Sequence, residues 1–180
     1  VTAAVLDPPD LSDPIEWHCL TELRKWHTDD DTEHLIRPED ELIVIEGNLL
    51  TYGGASALFN RLIATTVTAF DNANAMIGVG TSATAAANTQ TTLVAQTLRK
   101  AMASTYPQHT DATTVGGSSI VFRSDFLTGE ANAVWAEWGI FNGALTTGAA
   151  AGGRMLNRVV QALGTKTSGT WQLTLTLTLA

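Results

Sequence analysis

The chain has 180 residues, 44% of them hydrophobic and only 16% charged, with a net charge of -8. That length holds one domain with a buried core, and no run approaches the roughly 18 apolar residues of a membrane helix. The acidic residues Asp7, Asp10 and Asp13 do not resemble the basic start of a secretion signal, so classical secretion is not expected, and the seven Lys and Arg after residue 50 are too scattered to form the basic stripe that nucleic acid requires.

Residues 1–14 hold three prolines and three aspartates and show no period, so they are expected to form an extended arm that orders only against something else. Leu6, Pro8 and Pro9 of this arm are candidate contact residues. Residues 15–41 form an acidic segment in which residues 15–26 alternate as a strand carrying Trp17 and Trp26, two further interface candidates. The polar run 27–34 (HTDDDTEH) is a loop, and residues 42–46 are a short β-branched strand.

Near residues 53–66 the period changes. Ala55, Leu58, Phe59, Leu62, Ile63 and Thr66 recur at steps of three and four, which defines one apolar stripe on a helix. Residues 75–80 (AMIGVG) read as a buried strand, and residues 93–103 as a second short helix of poor amphipathicity. Three β-rich runs follow, SSIVFRSDF, VWAEWGIF and GRMLNRVVQAL. The last segment, WQLTLTLTLA, places Trp171, Leu173, Leu175, Leu177 and Leu179 on one face and Thr174, Thr176 and Thr178 on the other. Such a long uncharged strand is expected inside a sheet or at a subunit contact. The predicted architecture is mainly β: an antiparallel, jelly-roll-like sandwich of six to eight strands over residues 15–180, with one α-helix and an extended N-terminal arm.

No catalytic constellation emerges. The single cysteine, Cys19, excludes an internal disulfide, and it adjoins His18, but strand neighbours point to opposite faces and cannot exchange a proton directly. The acidic loop 27–34 lacks the glycine and distal glutamate of a calcium loop and reads as solvated. Gly78 and Gly80 form half of a dinucleotide fingerprint without the third glycine; their expected role is to end the strand in a turn. Alternation places Glu137 on one face with Trp135 and Phe141, with Trp138, Val134 and Ile140 opposite. A buried carboxylate needs a donor, and Arg154 or Arg158 on the next strand is the candidate partner. No cofactor and no metal is called for.

The ordered series IGVGTS (77–82), YPQ (106–108), WAEWG (135–139), LNR (156–158), GTKTSG (164–169) and the alternating final strand, within residues 42–180, resembles small structural proteins of tailed bacteriophage virions. The resemblance implies a non-enzymatic particle component. Head-decoration and minor tail proteins share this look, so the expected function is a capsid decoration or cement protein on the exterior of the head. Its expected partners are the major capsid protein and copies of itself, with a trimer among the assemblies considered. A tail, neck or fibre protein is the alternative, and a glycan-binding host-recognition module using Trp17 or Trp26 a second one.

Overall fold

A computed structural model describes residues 16–114, 116–143 and 153–179. The expected arm, with Leu6, Pro8 and Pro9, lies outside the described residues. Among the described residues ten strands and one α-helix follow in the order β1 (Trp17–Trp26), β2 (Glu41–Glu46), β3 (Leu49–Leu50), α1 (Tyr52–Leu62), β4 (Met76–Gly80), β5 (Gln96–Ala101), β6 (Gln108–His109), β7 (Ser119–Phe126), β8 (Val134–Phe141), β9 (Asn157–Thr165) and β10 (Thr170–Leu179). They form two antiparallel five-stranded sheets, β2-β1-β10-β7-β6 and β3-β9-β8-β4-β5, packed as a sandwich. Two strands beyond the expected six to eight are the two-residue β3 and β6.

The final strand occupies the middle of the first sheet. Its ten residues pair with the whole of β1, from Trp17 opposite Leu179 to Trp26 opposite Thr170, and β7 flanks its other side. Both edges of β10 are therefore satisfied, and the aggregation hazard of a bare uncharged strand does not arise. Leu173, Leu175 and Leu177 are buried beside Cys19 and Leu23 of β1 and Phe122 of β7, as the period-2 pattern requires.

The opposing sheet contributes Ile77, Val79, Trp135, Trp138 and Ile140 to this core. Trp135 meets Phe126 edge-on at 4.8 Å and Trp171 at 4.9 Å, and the indole N–H of Trp138 donates across the sandwich to Thr21 Oγ1 at 3.1 Å. A buried indole keeps its N–H paired in this way.

Two expectations are corrected. Residues 93–103 are not helical: Gln96–Ala101 form an edge strand paired to β4. There Leu98 packs on the core while Arg99 lies on the other face of the sheet, 3.6 Å from the Phe141 ring. That two-sided demand overrides a weak helical signal. Simple alternation along β8 also fails, because the register shifts between Trp135 and Glu137. The surplus residues are on β9, where the chain from Gly164 to Val160 faces only Trp135 to Glu137 of β8, and this irregularity turns Trp135 onto the inward face with Trp138 and Ile140, leaving Glu137 and Phe141 on the outward face of the second sheet.

Candidate interaction surface

The polar side chains singled out in the sequence mostly hold the fold together. Glu137 and Arg158 are both fully buried, with Arg158 Nη2 2.7 Å from Glu137 Oε2 and Arg158 Nε donating to the same oxygen at 2.9 Å. Residues 81–95 cross over this pair and are tied to it. The carboxylate accepts the backbone N–H of Val94 at 3.0 Å and of Ala95 at 2.6 Å. The guanidinium donates to the carbonyls of Thr84 at 2.9 Å and Ala85 at 3.2 Å and to Gln90 Oε1 at 2.8 Å. A buried ion pair tolerates desolvation when its remaining hydrogen-bonding capacity is used in this manner. Of the two candidate donors, Arg158 is the partner of Glu137. Arg154 instead donates to Ser56 Oγ of α1 at 3.0 Å.

The same arrangement corrects the turn expected of Gly78 and Gly80: Gly78 lies inside β4, and Gly80 is its last residue, still paired with Gln96 and Glu137. A Cβ on Gly80 would sit 2.6 Å from Glu137 Oε1 and 2.5 Å from the Ala95 carbonyl, and one on Gly78 2.8 Å from the Phe141 ring. Glycine here gives the clamp its space.

The acidic loop is also tied inward. Asp31 Oδ1 accepts the backbone N–H of Thr128 at 2.7 Å and the hydroxyl of Thr170 at 3.0 Å. Burial opposes ionisation, yet these bonds and the Lys166 charge hold the carboxyl below its ordinary pKa. Among the described residues no three His, Cys, Asp or Glu side chains gather as metal ligands.

Trp26 is 3% exposed and donates its indole N–H to the Arg37 carbonyl at 3.2 Å, so it fastens the loop and presents no interface. Trp135, Trp138 and Trp171 are equally buried. Trp17 alone is half-buried, packed at the margin of the core. Cys19 is buried beside Thr21, and burial pushes its thiol up to about 11. We expect it to resist thiol reagents at pH 8 in the native protein and to react within seconds in denaturant; rapid native labelling in a timed assay would show that the β1 to β10 seam opens readily.

The surface that stands out is α1. Its helix starts at Thr51, whose Oγ1 accepts the Gly54 N–H at 2.9 Å and donates to the Met155 carbonyl at 2.5 Å. Gly54 and Ala57 are the buried residues of the helix. A Cβ on Gly54 would collide with the Leu156 carbonyl, so the helix packs on the backbone of 155–156 by its small residues. The expected stripe is present but faces outward: Phe59, Leu62 and Ile63 are 66%, 81% and 71% exposed, and Tyr52 and Leu58 share that exposure. Beside it, between the starts of β1 and β7 and the end of β10, opens a pocket of about 270 Å³ lined by Trp17, Leu58, Phe70, Ile120, Leu177 and Leu179. A contiguous apolar face of this kind marks a contact surface.

No protein-family model, curated protein or solved structure matches the chain.

Proposed function

We propose that this chain is a non-enzymatic structural protein of a tailed-bacteriophage virion, binding the outside of the assembled head as a decoration or cement protein. The observation that carries the attachment is the outward apolar stripe of α1, held to the backbone of Met155 and Leu156 just before β9 by Gly54 and Thr51. The virion assignment draws on the resemblance of residues 42–180 to phage structural proteins. A protein that binds the assembled lattice and not its free subunits stabilises the lattice by mass action. Several copies on one particle multiply weak contacts.

A tail, neck or fibre component would use the same surface at far lower copy number. Quantitative mass spectrometry of purified particles therefore tests the proposal. Hundreds of copies per particle, in fixed ratio to the major capsid protein, are expected. A handful would move the chain to the tail or neck, and none would remove it from the virion.

A further inference from the structure

We propose that the outer edge of β2 takes up a basic, extended segment of another protein as an added strand. The inference rests on the edge of the first sheet and not on α1, so the two contacts stand or fall separately.

β2 ends the first sheet. It pairs with β1 from Leu20 opposite Glu46 to Lys25 opposite Glu41, and among the described residues no strand lies on its other side. The phase of the ladder shows which groups are left over. Gly47 donates its N–H to the Cys19 carbonyl at 2.9 Å, and bonded pairs recur at every second residue of an antiparallel ladder. Ile45, Ile43 and Glu41 therefore bond to β1, and the backbone groups of Leu42, Val44 and Glu46 point away from it. The side chains of Leu42 and Val44 are exposed as well, at 44% and 53%.

Proteins guard such edges with short strands, charges or prolines. The other edges here are guarded: β3 and β6 are two residues long, and β5 carries Arg99 and Lys100 in its course. β2 instead runs through four apolar residues, Leu42 to Ile45, between its terminal glutamates, and three of the four are β-branched types that favour strand pairing. An unguarded edge of this length fits an incoming strand, whose main chain meets the free donors and acceptors.

Charge selects that strand. Residues 16–50 hold ten acidic side chains against three basic ones. Around β2, Glu22 and Glu39 share the single cation Arg24, and Glu33 and Asp40 share Arg37. Glu46 has no ion pair among the described residues. A second copy of β2 would bring like charges together across the new ladder, which is destabilising. Directly opposed residues share a face of the sheet. The favoured partner therefore sets β-branched side chains opposite Leu42 and Val44 and lysine or arginine opposite Glu46 and Asp40.

The test titrates the full-length protein with the capped peptide Lys-Thr-Val-Thr-Val-Thr-Lys and follows amide hydrogen exchange residue by residue. In the free protein the amides of Leu42 and Val44 are expected to exchange with little protection, and saturating peptide is expected to slow them about tenfold or more. Two control peptides are each expected to bind at least tenfold more weakly. One has glutamate in place of both lysines; the other is N-methylated at both valines, which keeps the charge but removes the donors that face β2. Protection of Leu42 and Val44 before any peptide is added would show that this chain or a second copy already occupies the edge, and overturns the proposal. Equal binding of the N-methylated peptide, the mark of charge attraction without strand pairing, overturns it too. So does equal binding of the glutamate peptide, because charge then selects nothing.

Discussion

Replacing Arg158 by Ala is expected to destabilise the fold by about 3–5 kcal/mol, the range for removing one partner of a buried ion pair. The variant leaves Glu137 fully buried without its cation and frees the carbonyls of Thr84 and Ala85 from their donor. Glu137→Ala has a cost of the same order, since it strands the guanidinium and the N–H groups of Val94 and Ala95. The double variant Glu137→Leu, Arg158→Met is expected to cost less than the sum of the single changes, because no lone charge remains. It does not restore the anchoring of residues 81–95. Hydrogen exchange at Val94 and Ala95 is therefore expected to accelerate in all three variants, while the amides of β1 and β10 track global stability. Denaturant titration with exchange measured on the same samples separates the two effects. A loss below 1 kcal/mol in Arg158→Ala would mean that water replaces the clamp at little cost.

How far this clamp can be read from sequence shows where pattern reading stops. That Glu137 needs an arginine follows from its place among aromatic residues, but the choice between Arg154 and Arg158 depends on register. The shift between Trp135 and Glu137 sets Glu137 opposite Val160 on β9, and no alternation of apolar residues along β8 announces a bulge on its partner strand. β10 is legible because its period is unbroken and Trp171, Leu173 and Leu175 each meet a buried partner on both flanking strands. Residues 93–103 mislead because an edge strand that serves two faces, Leu98 inward and Arg99 outward, carries no clean period. For α1 the helix and its stripe are both visible in the sequence; the direction of the stripe is not. Gly53, Gly54 and Ala57 hold that information, since small residues at such spacing permit close approach to a neighbouring backbone. The three-and-four spacing of apolar residues identifies the apolar side of a helix and is silent on which side the fold leaves uncovered.

That uncovered side makes the second large prediction. Phe59→Gln with Leu62→Gln replaces two side chains that are 66% and 81% exposed by good helix formers, so the isolated protein is expected to keep its stability within about 0.5 kcal/mol. Binding is a different matter. If the stripe is the contact face, truncating two central apolar anchors removes the residues that dominate an interface, each worth about 2 kcal/mol or more. Occupancy on particles lacking the native protein should then fall about a hundredfold or more at subsaturating concentration. The matched control is Val134→Gln, an equally apolar exposed position, 48% accessible, at the far end of the sandwich from α1, and it should bind as the parent does. Equal occupancy for all three proteins would show that the particle is engaged elsewhere. Loss in the control as well as the α1 variant would show that the apolar character of the whole surface, and not this helix, governs attachment.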